Sequence, residues 1–464
     1  MKQINLILVA LLLTCMAHAN NVVTANISIG GQNTSSHYSL IKYDISWDNS
    51  WRTSNNESNY DGCWIFVKFR KKNTSAWQHA TINYASPGTA AACGHTQPSG
   101  SLIQTSSDGK GVWMYRSANG NGTVNWMNAQ LRWNYGVDGV ADNDSVEIKL
   151  FAVEMVYVTQ GAFALGSNGS EYYHFRRADK DTMFNVGSEN AITVGGSSPS
   201  NLSSASGVYL TSGTIPATYP KGYNAFWCMK YEISQQQYAD FLNTIDSATV
   251  ALRRPSGFAT GSHPAYVAQN PTQAMNYLGI DDVLALLDWS ALRPMTEFEY
   301  EKACRGANQV PIPNEYAWGN TTFSGVATPT DLGLSTETWG SGNVANGITT
   351  PIRCGALATA TSTRTSSGGT YYGIMEMSGN VWEVTVTAET GGRTFINAHG
   401  DGNLDASAQS FNVPSWGGAN SSFYAYRGGD ISTSYLQVSD RLYSVTNGSY
   451  RYSNSGGRGV RTAQ

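Results

Sequence analysis

Six segments in the first third of the chain alternate apolar and polar side chains. They are HYSLIKYDISW, CWIFVKFRK, WQHATINY, GVWMYRS, NAQLRW and SVEIKLFAV. Glycine, asparagine, serine and aspartate cluster between them. Short alternating segments separated by turn residues are typical of antiparallel strands, so residues 20–150 are predicted to form an antiparallel β-sandwich.

Helical spacing appears after residue 154. Ser234 and Gln237 have the spacing of a capping box at the start of one helix, and Thr296 and Glu299 have it at the start of another. Between these helices, residues 281–289 are predicted to form a short buried helix. The chain as a whole is therefore predicted to be α+β.

Beyond residue 306 the sequence is mostly irregular and rich in glycine, serine and threonine. Compact domains seldom contain so much chain without helices or strands. Such a segment requires a bound metal, buried tryptophans or a fold built from ordered loops. The length of 464 residues also exceeds what one hydrophobic core usually supports. We therefore predict two domains, residues 20–150 and residues 154–464.

Residues 1–19 have the features of a secretory signal peptide. A basic residue precedes an apolar run at 4–13, and residues 17–19 form a small-x-small cleavage site. The run is too short to span a bilayer. A lipid anchor at Cys15 is less favoured, because the preceding threonine is a poor residue before a lipidated cysteine. We expect a protein secreted or held in the cell envelope, in the periplasm or on the cell surface, with no transmembrane segment.

Charge argues against nucleic acid as a partner. Charged residues make up only 13% of the chain, and the formal net charge is −4. The only basic cluster is Lys68–Lys72. Proteins that bind nucleic acids present a basic patch or stripe, and this sequence contains no such feature.

Five cysteines follow the signal peptide: Cys63, Cys93, Cys228, Cys304 and Cys354. An odd number leaves at least one thiol unpaired or bonded outside the chain. Cys63 and Cys93 both lie in the first domain and are predicted to form a disulfide. The scattered histidines and the absence of a CxxC motif disfavour a zinc site.

Seven segments occur in an order that resembles one protein family. They are EMVYVTQGAFALGS, FWCMKYEISQQQYADFLN, LDWSALRPMTEFEYEKACRG, YAWGN, YYGIMEMSGNVWEVTV, YRGGD and GGRGVR. In this order they resemble the sulfatase-modifying factor family, whose active members are formylglycine-generating enzymes. The resemblance covers residues 154–464 and implies a loop-rich variant of the C-type lectin fold.

The resemblance stops at the family's copper site. In active members, two cysteines follow the arginine-glycine-glycine motif, bind copper and activate oxygen. The corresponding positions are Thr433 and Val438, which offer no thiolate to hold Cu(I). No copper is expected, and a non-catalytic protein is favoured. The alternative is an active oxidase or sulfatase-modifying enzyme that uses different metal ligands.

The resemblance does extend to the family's calcium loop. It assigns the ligands to the side chains of Glu376 and Glu383 and to the carbonyls of Gly379 and Val381. Carboxylate and carbonyl oxygens suit a hard cation such as Ca²⁺, so a structural calcium ion is predicted. The alternative is that both glutamates accept hydrogen bonds from the backbone or from an arginine. Trp382 is expected to pack in the core behind the loop.

The C-terminal loops, residues 399–458, are expected to form a ligand surface. Tyrosine, serine and asparagine are abundant there, as in adaptable binding surfaces. The candidate ligand-binding residues are Tyr435, Arg441, Tyr443, Asn447, Tyr450, Arg451 and Tyr452. The predicted function is therefore a binding or structural one, toward a glycan, a peptide or a cell-surface protein. The alternative is that several of these tyrosines pack in the core.

Overall fold

A computed structural model describes residues 21–72, 74, 76–332, 337–359, 361–418, 422–446 and 450–464. The predicted signal peptide lies outside these residues. The described chain is α+β and rich in short strands, in agreement with the predicted class. None of the described helices combines the length and the hydrophobicity that a membrane crossing requires.

Antiparallel strands, five of them 11 to 15 residues long, dominate the first part of the chain. They are β1 Val23–Asn33, β2 Tyr38–Arg52, β3 Asp61–Lys71, β4 Gln78–His79, β5 Ser101–Thr105, β6 Val112–Arg116, β7 Gly120–Trp133 and β8 Val146–Val158. Five of the six alternating segments coincide with long strands or parts of them. The segment WQHATINY contains only the two-residue strand β4, so alternation alone overestimated its strand content.

The second part contains short strands, short helices and long loops. The strands are β9 Phe163–Leu165, β10 Phe175–Arg177, β11 Phe184–Val186, β12 Ile192–Val194, β13 Leu202–Ser204, β14 Gly213–Ile215, β15 Phe226–Met229, β16 Ala259–Thr260, β17 Val267–Ala268, β18 Met295–Thr296, β19 Glu383–Val386, β20 Tyr424–Arg427 and β21 Val460–Thr462. The helices are α1 Gln235–Leu242, α2 Ser247–Arg253, α3 Ile280–Trp289, α4 Glu297–Arg305 and α5 Arg364–Ser367.

Both predicted capping boxes are confirmed. The side chain of Ser234 accepts a hydrogen bond from the backbone of Gln237 at the start of α1. Thr296 and Glu299 make the equivalent reciprocal pair at the start of α4. The predicted short helix is α3. Local spacing rules therefore located the main helices correctly.

Strand β3 belongs to two hydrophobic cores. Cys63, Ile65 and Val67 face a core that β3 shares with β2 and β7. Trp64 and Phe66 point the other way and join the core of the second part. Successive side chains of a strand point to opposite faces, so this buried strand connects the packing of both parts.

The two predicted domains share one continuous sheet. Its strand order is β21-β15-β8-β3-β6-β5, and β4 also pairs with β3. Strand β8 pairs with β3 along Val146–Val156 and with β15 along Met155–Val158. The predicted boundary between residues 150 and 154 therefore falls inside a strand.

A small sheet positions the candidate site. Its order is β18-β19-β20, with β18 and β19 parallel and β19 and β20 antiparallel. Glu383 at the start of β19 lies opposite Arg427 at the end of β20. The predicted calcium loop enters this sheet at β19, and the last long loops leave it after β20.

Candidate functional site

The predicted calcium loop turns sharply before it enters β19. Glu376, Gly379 and Asn380 have positive φ angles of 56°, 90° and 64°. Glycine and asparagine accept such angles readily, whereas a glutamate is held there by its surroundings. Both Glu376 and Glu383 are buried, so the loop carries two carboxyl groups into the interior.

Each of these glutamates uses one carboxylate oxygen for a protein partner. Oε1 of Glu383 accepts hydrogen bonds from Arg458, with Nε at 2.7 Å and Nη2 at 2.6 Å. Oε1 of Glu376 accepts from the backbone N–H of Gly355 at 2.8 Å. Oε2 of both glutamates is buried without a hydrogen-bond partner among the described residues. The alternative of backbone and arginine partners thus accounts for only one oxygen of each residue.

Glu232 completes a group of three buried glutamates with one guanidinium, which we call the calcium-loop cluster: Glu232, Glu376, Glu383 and Arg458. Burial and the other two glutamates raise the pKa of Glu232 well above its usual value. Burial also raises the pKa of Glu376 to about 7 and that of Glu383, against the opposing charge of Arg458. The cluster is therefore short of positive charge.

The donor set of this cluster fits a hard cation. The two Oε2 atoms are carboxylate oxygens, and the carbonyls of Gly379 and Val381 belong to the same turn. Such oxygens suit Ca²⁺. Within the described ranges, no group of three or more His, Cys, Asp or Glu side chains has the arrangement of a metal site. Calcium stays a prediction that depends on two carboxylates and main-chain oxygens.

A pocket of about 320 Å³ opens beside the calcium loop. Its described lining residues are Trp382, Tyr426, Thr433, Tyr443, Thr446, Tyr452 and Asn454. They are aromatic, hydroxyl or amide side chains, and none of them is charged. Pockets of this composition suit a ligand with apolar faces and hydrogen-bonding groups.

Three parts of the fold supply the pocket wall. Trp382 comes from the calcium loop, Tyr426 from β20, and Tyr443 from the loops that follow. The ring of Trp382 lies 5.1 Å from that of Tyr443 and 6.2 Å from that of Tyr426. Trp382 is buried, as expected for core packing, but it also forms part of the pocket wall.

Four of the predicted ligand-binding tyrosines gather around this pocket. Tyr443 and Tyr452 line it. The ring of Tyr435 lies 6.2 Å from that of Tyr443, and the ring of Tyr450 lies 6.0 Å from that of Tyr452. Residues far apart in the loops thus contribute to one aromatic surface.

The structure corrects the placement of Arg441. This side chain is fully buried and binds the carboxylate of Glu297, with Nε at 2.9 Å and Nη2 at 3.0 Å. It lies inside because a domain built from loops must draw part of its interior from those loops. Arg451 is partly buried and pairs with Asp282 at 2.7 Å. Asn447 lies outside the described residues.

Thr433 and Val438, the residues that the resemblance aligns with the copper cysteines, have different environments. Thr433 lines the pocket, whereas Val438 is fully buried in an apolar cluster. None of the described cysteines lines the pocket. Burial raises the pKa of Cys304 to about 12 and also raises that of Cys354. Thiolates are the form that binds metal, so these thiols are poor ligands.

The predicted disulfide is wrong. Cys63 and Cys93 are both free thiols. Cys63 is enclosed in the core between β2, β3 and β7. Cys93 lies in a partly exposed 3-10 turn, where its sulfur contacts the hydroxyl of Thr89 at 3.8 Å. The two cysteines lie in the same part of the chain, but the fold does not place their sulfur atoms in contact.

Sequence analysis missed three tyrosines beside the predicted surface. Tyr172, Tyr173 and Tyr209 come from the short-strand segment between β9 and β14, far from the C-terminal loops along the chain. The ring of Tyr172 nevertheless lies 5.6 Å from that of Tyr435. The adjacent tyrosines at 172 and 173 were the only signal, and spacing alone could not place them near this surface.

Comparison with known proteins identifies the second part of the chain. A comparison with curated proteins found no match. The family model described as "Sulfatase-modifying factor enzyme 1-like domain" matches residues 152–463. This range confirms the resemblance carried by residues 154–464 and contains the whole pocket and the calcium-loop cluster. The chain therefore belongs to the sulfatase-modifying factor enzyme 1-like family.

Proposed function

We propose that this chain is a secreted, non-catalytic binding protein whose ligand enters the aromatic pocket. The observation that carries the proposal is the pocket wall itself. Trp382, Tyr426, Tyr443 and Tyr452 line the same pocket as Thr433, which the resemblance aligns with a copper cysteine of active relatives. The pocket therefore offers aromatic surface and hydrogen-bonding groups, with a hydroxyl in place of a thiolate.

Exposure supports binding over simple core packing. The side chains of Tyr443 and Tyr452 are 41% and 50% exposed. Tyrosine supplies large contact area at a low cost in conformational entropy, since it has two rotatable side-chain bonds. An exposed group of tyrosines around a concave surface is the arrangement that such binding sites use.

A structural calcium ion is part of the proposal. The unpartnered Oε2 atoms of Glu376 and Glu383 support it. Trp382 directly precedes Glu383 in the sequence. A cation held by the loop would therefore restrain the backbone that carries one wall of the pocket.

The finer architecture also belongs to this proposal. Antiparallel sheets that share a core in the first part support a β-sandwich. Family membership and the loop-rich second part support the C-type-lectin-like variant of the fold. The leader-like residues 1–19 support secretion or a place in the cell envelope.

Metal content and oxygen consumption test the non-catalytic part. The mature protein is purified and assayed for copper, iron and calcium, and then mixed with a cysteine-containing peptide in an oxygen electrode. We expect no oxygen consumption and no stoichiometric copper or iron. Stoichiometric transition metal together with peptide turnover would show that the protein is an oxidase.

Ligand arrays test the pocket. Wild-type protein and the double variant Tyr443→Ala, Tyr452→Ala are applied to glycan and peptide arrays. Tyr84→Ala is the matched control, since Tyr84 is 53% exposed and lies in the first part of the chain. The double variant is expected to lose the wild-type signals and the control to keep them. Equal loss in both, or loss in neither, would place the binding site elsewhere.

A further inference from the structure

A continuous row of aromatic rings leads out of the pocket. We call it the aromatic track, and it consists of Trp382, Tyr443, Tyr435, Tyr172, Tyr173 and Tyr209. The centres of neighbouring rings along it are 5.1 to 6.2 Å apart. Tyr172 and Tyr209, beyond the pocket, are exposed on the surface. The aromatic surface is therefore several rings long and extends beyond the cavity.

Two tyrosines of the track have strained backbones. Tyr173 has a φ angle of 50° and Tyr209 one of 55°. Bulky residues rarely adopt this left-handed region, and such conformations persist only where the surroundings impose them. They concentrate at ligand-binding and active sites. This strain is an observation independent of the ring spacing.

Arg441 anchors the backbone of this part of the track through hydrogen bonds to carbonyl oxygens. Its Nη1 donates to the carbonyl of Tyr173 at 3.0 Å, and its Nη2 donates to that of Tyr209 at 3.1 Å. Its backbone N–H donates to the carbonyl of Tyr172 at 2.8 Å. Glu297 holds the guanidinium in place. One buried ion pair thus anchors the backbones of three tyrosines, two of them exposed, and preorganisation of this kind lowers the entropy lost on binding.

The charges beneath the track disfavour an acidic ligand. Arg441 is fully buried and paired with Glu297. The carboxylate of Asp440 is buried and accepts the backbone N–H groups of Tyr172 at 3.3 Å and Leu442 at 3.0 Å. Recognition of phosphorylated or acidic ligands uses accessible arginine clusters. Arg441, the arginine that contacts the backbone of the track, is already paired with the buried Glu297.

The described strand beside the pocket offers no free edge to an extended peptide. Peptides of that kind bind by adding a strand to an exposed sheet edge. Strand β20 is an edge of its sheet, but its outer side is already paired. The N–H of Tyr426 donates to the carbonyl of Tyr443 at 3.0 Å, and the N–H of Thr446 donates to that of Tyr424 at 2.9 Å.

A linear sugar chain is a ligand class that fits this surface once acidic ligands and extended peptides are disfavoured. Each sugar ring has an apolar C–H face that packs on an aromatic ring and a rim of hydroxyls that hydrogen-bond to phenol and amide groups. We propose that the pocket is the inner end of an extended site for an uncharged linear polysaccharide, with the aromatic track as its platform. This proposal rests on the proposed function of the pocket.

Affinity electrophoresis and calorimetry test the polysaccharide proposal. Native gels containing hydroxyethylcellulose, xylan, glucomannan, galactan or dextran are used first, and oligosaccharides of two and six units from the retarding polymer are then titrated. We expect the six-unit chain to bind at least about tenfold more tightly than the two-unit one. The double variant Tyr172→Ala, Tyr209→Ala should remove that difference and leave the two-unit affinity unchanged.

Variants and controls separate this proposal from the pocket proposal. Tyr443→Ala is expected to weaken both chain lengths, and Tyr84→Ala neither. Equal affinity for both lengths, or binding by peptides alone, would overturn the polysaccharide track while leaving the pocket as a binding site. Failure of every polysaccharide and of the peptide and glycan arrays to bind would overturn both proposals. Melting temperatures of all variants establish that each one folds.

Discussion

Two buried groups of glutamates lie close to the small sheet β18-β19-β20, and they differ in charge balance. In the first group, Glu297 binds Arg427 at 3.0 Å and Arg441 at 2.9 Å. Glu301 binds Arg427 at 2.9 Å and Arg305 at 2.5 Å. In the calcium-loop cluster, Arg458 forms a salt bridge with Glu383 only, and Arg458 and Arg353 act on Glu376 without a salt bridge.

The same residue type at the same burial therefore titrates in opposite directions. Burial opposes the ionised form of Glu297, but Arg441 and Arg427 hold its pKa below the usual value. Burial raises the pKa of Glu376 to about 7, because Arg458 offsets it only in part. Glu297 forms direct salt bridges with both of its arginines, whereas Arg458 and Arg353 act on Glu376 without a salt bridge, and this difference in contact decides the sign. The first group is complete within the protein, whereas the calcium-loop cluster still lacks positive charge.

A substitution in the first group, that of Glu297 and Glu301, should have the largest effect on stability. Glu297→Gln removes the shared carboxylate and leaves Arg427 and Arg441 buried with less counter-charge. We expect a loss of about 3–5 kcal/mol in the free energy of unfolding, measured by guanidinium denaturation. The control is Glu147→Gln at an exposed pair with Arg70, which should cost under about 1 kcal/mol. Similar losses in both variants would contradict the argument from burial.

Calcium bound at the calcium-loop cluster should stabilise the folded protein by a smaller amount. At one hundred times its dissociation constant, a ligand of the folded state adds about 2.7 kcal/mol. Calcium is therefore expected to raise the melting temperature in a scanning calorimeter, and Glu376→Gln to abolish the rise. Glu147→Gln should respond like the wild type. A full calcium response in Glu376→Gln would exclude the assigned loop.

The stability of the metal-free protein should depend on pH because of the same cluster. Glu376 has a raised pKa in the folded state, so the folded protein binds the extra proton between the unfolded value and about 7. Stability measured with a chelator should then fall as the pH rises through this window. Glu376→Gln should flatten the curve.

Glu297 sets the opposite slope in the acid range. Its pKa is lowered in the folded state, so its contribution is present above the unfolded value and is lost as the pH falls through the folded one. A metal-free protein that gained stability between pH 5 and 7 would contradict the charge deficit at the calcium-loop cluster.

The smallest effect is expected at the exposed rings. Tyr450 is 65% exposed, and Tyr450→Ala should change the free energy of unfolding by no more than about 0.5 kcal/mol. Urea denaturation measures this change. A loss comparable to that of Glu297→Gln would show that the aromatic surface stabilises the fold, against its proposed role in binding.

Much of the local structure was predictable from sequence. The capping residues Ser234 and Thr296 and the alternation along β2, β3 and β8 depend on neighbours a few positions away. The family followed from short strings in a fixed order, and the family model confirms it. The tyrosines of the C-terminal loops were also identified as candidates before their positions were known.

Sequence by itself determined where three of the described helices and most of the long strands lie, which family the second part belongs to and which loops carry tyrosine. Only the tertiary structure decided that Arg441 is an interior anchor, that Cys63 and Cys93 remain apart, and that β8 belongs to both parts of the chain. The reason is the distance along the sequence between the residues that interact. Helix caps and strand alternation act over a few residues, whereas Glu297 and Arg441 meet across 144 positions, and only the packed fold sets such a contact.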